Sequence, residues 1–201
     1  MLSFLGAAAV AFGAIFVAEF GDKSQLLIFA FATRHAWRPV VAGLVLAAAA
    51  IQGLSVAVGA AVGAALPTTA VAVVAGVAFL AVAAWTLRGG EGDETPVEDV
   101  ASRASTVTGL GLVAMVALTF IVGELGDKTM LATFALAASQ GPLPTWVGST
   151  AGEVAANLVA VVIGRQVGAR LPERAVRVGS ATVFALAGVL VLLGVLLGDL
   201  G

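Results

Sequence analysis

The chain has 201 residues, of which 60% are hydrophobic and 11% charged, with 10 basic residues against 12 acidic ones. A soluble domain of this size carries roughly 25% charged residues, so a core folded in water is excluded and lipid is the implied solvent. The absence of cysteine excludes disulfides and thiolate metal sites, and the net charge of −2 matters less than where the charges fall.

Six apolar spans follow one another, over about 5–33, 40–65, 69–87, 107–138, 146–165 and 175–198. The first could pass for a signal-peptide core, but it lacks a basic n-region and its apolar run continues beyond any cleavage site. It is read as a mature helix. Inside it, "VAEFGDKSQLL" places Glu19, Asp22 and Lys23 in the only charged stretch between Leu2 and Phe31. On one continuous helix Asp22 and Lys23 stand at i+3 and i+4 from Glu19, on a shared face. A centrally placed Asp or Lys costs about 2.5–3.5 kcal/mol on insertion scales, so such residues must face one another, a cavity or a ligand. The first loop holds Arg34, Arg38 and the single histidine, His35, which reads as a loop residue. Pro39 and Pro67 bracket the second span, which carries Gln52. The third ends at the hydrophilic segment 88–106, "RGGEGDETPVEDVASRAST", a Gly-, Pro- and acid-containing tether.

The fourth span repeats the motif of the first as "VGELGDKTMLA", with Glu124, Asp127 and Lys128. Glu19 and Glu124 stand 105 positions apart, and that offset also pairs Gly21 with Gly126, Asp22 with Asp127, Lys23 with Lys128 and Ser24 with Thr129. It carries on into the next spans, pairing Gly43 with Gly148, Gln52 with Asn157, Pro67 with Pro172 and Phe79 with Phe184. Both first spans exceed the roughly 20 residues needed to cross, and each has glycine between its acids. Long, bent or interrupted helices are therefore expected there. The fifth span, in "GSTAGEVAANL", adds Glu153 one turn before Asn157; its counterpart at the same offset is Ala48.

The chain is thus expected to be an all-α, polytopic membrane protein with six transmembrane helices arranged as two three-helix repeats. Residues 1–87 form the first, 88–106 the linker and 107–201 the second. Three is odd, so the repeats enter the membrane from opposite faces, an inverted arrangement associated with alternating access. Loops after the first, third and fifth spans hold Arg34 and Arg38, Arg88 and Arg103, and Arg170 and Arg174, flanked by Arg165 and Arg177. The other loops hold no Lys or Arg. The positive-inside rule then puts both termini outside and the central loop in the cytoplasm, for a multi-pass protein of the cell's inner (plasma) membrane.

Glu19, Asp22, Glu124 and Asp127 with Lys23 and Lys128 sum to −2, a charge that one divalent cation or two protons would neutralise. Competition of metal and protons for one site under alternating access is antiport. Carboxylates, the hydroxyls of Ser24 and Thr129, and the amides of Gln25, Asn157 and Gln52 are hard oxygen donors that suit Mn²⁺, Ca²⁺ or Mg²⁺. Glu153 is read either as facing the pathway or as pairing with an arginine near a helix end. A purely structural Glu–Lys clamp is the rival for the motifs; two copies, each with more acid than base, argue against it.

The paired Glu-x-Gly-Asp-Lys-Ser/Thr signatures resemble those of the cation/proton exchangers once catalogued as uncharacterised protein family 0016. That family includes bacterial manganese exporters and Golgi and thylakoid manganese/calcium transporters. The resemblance covers the whole chain and implies Mn²⁺ or Ca²⁺ moved against H⁺, with Glu19, Asp22, Glu124 and Asp127 as the metal site. Lys23, Ser24, Lys128 and Thr129 would flank it. Members often place Gln after the hydroxyl residue; Gln25 fits and Met130 does not, and a thioether is a poor ligand for a hard cation. The expected function is export of Mn²⁺ or Ca²⁺ in exchange for protons, without a prosthetic group, a nucleic-acid partner or an enzymatic reaction. A six-span exporter of a small organic cation or amino acid is the alternative, and the scarcity of aromatic lining (no Tyr, three Trp) speaks against it. An intramembrane aspartyl protease using Asp22 and Asp127 fits badly with a lysine directly after each acid.

Overall fold

The computed structural model describes residues 3–20, 22–88, 107–167 and 173–198, without the side chains of Lys23 and of residues 160, 163–167, 173–177 and 180. Residues 89–106 of the acidic linker, Gly21 and Arg170 therefore lie outside the described residues, as do the side chains of Arg165, Arg174 and Arg177. The described residues form eight helices and no strand: α1 (Phe4–Glu19), α2 (Lys23–Arg34), α3 (Trp37–Ala65), α4 (Thr68–Leu87), α5 (Gly109–Glu124), α6 (Lys128–Gln140), α7 (Pro142–Val167) and α8 (Glu173–Leu196). Helices α3 and α4 are each long and apolar enough to cross a bilayer. Four spans result if α1–α2 and α5–α6 each count as one bent span.

Local chemistry sets the boundaries. The Ser3 side chain accepts the Gly6 N–H at 3.2 Å and caps α1. Pro39 lies in the first turn of α3, where its missing N–H costs nothing, and Pro67 separates α3 from α4. Gly141, at φ +97°, closes α6, and Pro142 opens α7 directly behind it.

The first span of each half is not one continuous helix. α1 meets α2 at 78° and α5 meets α6 at 80°. The backbone leaves the helix at Phe20 (φ −68°, ψ 118°) and at Leu125 (φ −59°, ψ 118°), and Gly126 turns through φ +83°. That left-handed conformation suits glycine, which carries no Cβ. One turn closes each break: Asp22 N–H donates to Glu19 C=O at 3.1 Å, and Asp127 N–H to Glu124 C=O at 3.0 Å.

Burial in α1 falls on Ala7, Ala11, Ile15 and Glu19, and in α5 on Leu112, Val116, Phe120 and Glu124. Each set advances four residues at a time, one ridge of a helix packed into its neighbours, and each ridge ends on a glutamate. Small residues let those ridges close. A Cβ on Gly43 of α3 would meet Val116 Cβ at 2.7 Å and Val113 C=O at 2.8 Å, while Gly148 of α7 sits against Ala8 and Ala11 of α1. Phe79 of α4 stacks on Phe184 of α8 with ring centroids 6.1 Å apart.

Two apolar clusters result. One draws Leu27, Phe31, Leu44 and Phe120 from α2, α3 and α5; the other draws Ile15, Phe79, Leu136 and Phe184 from α1, α4, α6 and α8. Each bent pair therefore gives one helix to each cluster, and its break lies where the chain passes between them. Large aliphatics such as Leu46, Leu54, Leu118, Leu186 and Leu190 remain exposed, a surface suited to lipid in place of water.

Candidate cation site

The two breaks bring four acids together. Glu19 is the last residue of α1 and Glu124 the last of α5, so both reach the site from helix C-termini. Asp22 and Asp127 immediately precede α2 and α6. Because the helix is interrupted inside each motif, Glu and Asp meet around a corner and do not share the face of one helix, as continuous i, i+3 geometry would require. One carboxylate oxygen from each of Glu19, Asp22, Glu124 and Asp127 lies within 4.8 Å of the others, and all four residues are buried.

Asp127 occupies the N-cap position of α6, yet its side chain makes no capping hydrogen bond. An N-cap aspartate ordinarily turns its oxygen onto the helix N–H groups. The Ser24 hydroxyl donates to Glu19 Oε2 at 2.9 Å. Among the described residues, Glu19 Oε1 and Glu124 Oε2 accept no hydrogen bond, and the Thr129 hydroxyl has no partner. Buried carboxylate oxygens of this kind are costly unless a cation or proton satisfies them. The donor set, all hard oxygen, could hold a small divalent cation.

Lys128 pairs across the two motifs: its Nζ lies 3.2 Å from Asp22 Oδ2, in an ion pair nearly sealed from solvent. The physical reason is the corner, which turns the first residue of α6 toward the opposite motif. The side chain of Lys23 lies outside the described residues.

The remaining residues singled out by sequence divide into two groups. Ser24 and Thr129 lie beside the acids at the starts of α2 and α6, both buried. Gln25 donates from Nε2 to the Ala156 C=O at 3.2 Å, which ties α2 to α7. Met130, at the equivalent place in α6, accepts the Gly126 N–H on its sulfur at 3.2 Å and so braces the break. Glu153 is fully buried on α7, where its carboxylate accepts a short hydrogen bond from Gln52 Nε2 of α3. It feels the charges of Asp22 and Asp127 but is not among the four acids whose oxygens converge. Of the two readings for Glu153, arginine pairing finds no counterpart among the described residues.

Sequence reasoning missed Thr133, buried one turn after Thr129 with an unpartnered hydroxyl. Two threonines at i, i+4 in an apolar helix were the available signal.

The family described as "Divalent cation/proton antiporter GDT1" matches the chain over residues 7–94 and 112–199, two segments that are themselves 105 positions apart at both ends. A "Putative manganese exporter" of Vibrio cholerae is 30% identical over 181 residues, covering 89% of this chain and 86% of that protein. "Protein PAM71, chloroplastic" of Arabidopsis thaliana is 31% identical over 88% of this chain and 54% of its own length. "GDT1-like protein 1, chloroplastic" of Oryza sativa is 34% identical over 87 residues, which is 43% of this chain and 26% of that protein. No solved structure matches the chain.

Proposed function

The chain belongs to the GDT1 divalent cation/proton antiporter family, and from that premise we propose that it exports Mn²⁺, with Ca²⁺ as a second cargo, in exchange for protons. The observation that carries the proposal is the convergence of Glu19, Asp22, Glu124 and Asp127 at two helix breaks. Cargo binds among these four carboxylates, with Ser24, Gln25 and Thr129 as neighbouring donors. Lys128, and Lys23 in the first motif, act as internal charge partners. Four acidic groups in a water-poor space require positive charge, and metal and protons supply it alternately. That competition couples the two fluxes. A tight set of carboxylates suits a small hard cation better than an organic one, and the family is one of transporters, not enzymes.

We read the transport cycle as alternating access in a six-span, inverted-repeat protein. Residues 1–87 and 107–201 form the repeats, 88–106 is the cytoplasmic linker, and both termini lie outside the plasma membrane. Several contacts support this reading. Gly43 packs on Val113 and Val116, while Gly148, 105 positions later, packs on Ala8 and Ala11, each again displaced by 105. Phe79 stacks on Phe184, its own counterpart. Helices α7 and α8, of 26 and 24 residues, are long enough for the fifth and sixth spans at 1.5 Å per residue. The basic residues Arg34, Arg38 and Arg88 follow the first and third spans, on the face that the positive-inside rule makes cytoplasmic.

The test is flux in liposomes under an imposed pH gradient, with Mn²⁺, Ca²⁺ and Mg²⁺ measured in parallel. Gradient-driven Mn²⁺ movement that disappears in Asp22→Asn and in Asp127→Asn is expected. Undiminished flux in both variants, or no dependence on the gradient, would overturn the proposal.

A further inference from the structure

Beside the four acids lies a second group of oxygens that they do not account for. Glu153 of α7, Gln52 of α3 and Asn157 of α7 are all 0% exposed. Gln52 Nε2 donates to Glu153 Oε2, and Asn157 Nδ2 donates to the Glu153 C=O at 3.0 Å. The Asn157 orientation is fixed chemically, because a carbonyl can only accept, and the Gln52 orientation is fixed while Glu153 is ionised. The amides have thus turned N–H groups toward oxygens and keep their own oxygens unpaired. Among the described residues, Glu153 Oε1, Gln52 Oε1 and Asn157 Oδ1 all lack a hydrogen-bond partner.

Three unpartnered, fully buried acceptor oxygens on residues joined through Glu153 cannot satisfy one another, since each needs a donor or a cation. They present one carboxylate and two amide carbonyls, a hard donor set. The placement also has a logic in the repeat. Gln52 and Asn157 are counterparts at the 105 offset, and Glu153 stands where the first half has Ala48. The amide pair is therefore shared by both halves, and the acid belongs to one of them.

We propose that Glu153, Gln52 and Asn157 form a second cation-binding station, distinct from the four-acid site, that takes the same class of hard divalent cation. This rests on the cargo reading of the four acids. With one carboxylate against four, the station binds more weakly. A divalent cation in the main site repels a second one in the station, because like charges interact strongly in a low-dielectric interior. A weak station next to a tight site passes an ion onward and does not store it, as multi-site conduction requires. Its acid lies in only one repeat, so it makes cation entry and release unequal.

Binding of Mn²⁺ to detergent-purified protein, followed by loss of the free-ion electron paramagnetic resonance signal, tests this. The wild type should show a tight and a weak phase. Glu153→Gln should weaken the weak phase by about tenfold or more, because ligand charge count sets affinity in oxygen sites, and should leave the tight phase in place. Asn157→Ala should weaken the same phase by less. The variant Glu19→Gln/Asp22→Asn/Glu124→Gln/Asp127→Asn, combined with Lys128→Met because Asp22 no longer neutralises that ammonium, should keep only the weak phase. Gel filtration and circular dichroism confirm that each variant is folded. A single phase in the wild type, or a weak phase unchanged in Glu153→Gln, would overturn the station. A tight phase that survives in the five-site variant would overturn the cargo reading, and the Glu153→Gln arm still decides the station by itself.

Discussion

Lys128 is the residue whose position says most about the four-acid site. Its ammonium lies 3.2 Å from Asp22, an oxygen donor that the cargo would also use. If cargo binds as proposed, it competes with the lysine for this carboxylate, which the lysine neutralises when no cargo is bound. Breaking a buried ion pair from one side costs about 3–5 kcal/mol because the other charge is left uncompensated. Lys128→Met is accordingly expected to lower the melting temperature of the metal-free protein. Added Mn²⁺ should then raise that temperature by more than it does in the wild type, since ligand binding to the folded state stabilises it by mass action. Equal Mn²⁺ shifts in the two proteins would show that lysine and cargo do not share a partner. This pairing was not legible in the sequence. On one continuous helix Lys128 shares a face with Glu124, whereas the structure brings its ammonium to Asp22 of the other motif.

At the scale of the element, the break is the decisive feature. The acids, their 105-residue offset and the glycine between them could be read directly, as could a tendency of the first and fourth spans to bend. The corner itself could not. Continuous helical spacing placed Glu19 and Asp22 on one face, whereas the observed turn separates them onto two helices at 78°. In the second motif, where α5 meets α6 at 80°, a left-handed residue at 126 makes the turn possible. Gly126→Ala should strain it by about 1 kcal/mol or more, widen the spacing of Glu124 and Asp127, and slow Mn²⁺ flux while the rest of the fold persists. Gly123→Ala, whose added Cβ meets nothing within 4 Å and whose backbone is helical, serves as the control and should transport normally. Helix packing offers a second check. A methyl on Gly43 would fall 2.7 Å from Val116 Cβ, so Gly43→Ala should destabilise the protein by about 1–3 kcal/mol, the usual cost of overpacking, as read by thermal unfolding in detergent. The contact between Gln52 and Glu153 spans 101 positions of sequence. No local periodicity encodes such a pair, because it depends on how α3 and α7 pack.

At the scale of the whole molecule, the two apolar clusters suit the proposed alternating-access exchange. Each bent pair contributes one helix to each cluster, so rocking one cluster against the other would flex both breaks together and rearrange all four acids at once. The proposed inverted repeat needs opposite insertion of the two halves, and that requires an odd number of crossings in each. The absence of cysteine makes the requirement testable without a background. Single cysteines at Ser3, at Ser105 in the linker and at Gly198 should report on the two ends of the chain and the linker. In intact cells, a membrane-impermeant thiol reagent is expected to label Ser3→Cys and Gly198→Cys and to spare Ser105→Cys until the membrane is opened. Labelling of both termini alone would also suit a chain with any even number of crossings, so the protection of position 105 carries the weight. It demands an odd count in the first half, and the second half then requires the same. If position 105 labels from outside together with the two termini, each half crosses an even number of times. The halves would then insert in parallel, and the two motifs could not face each other as inverted copies.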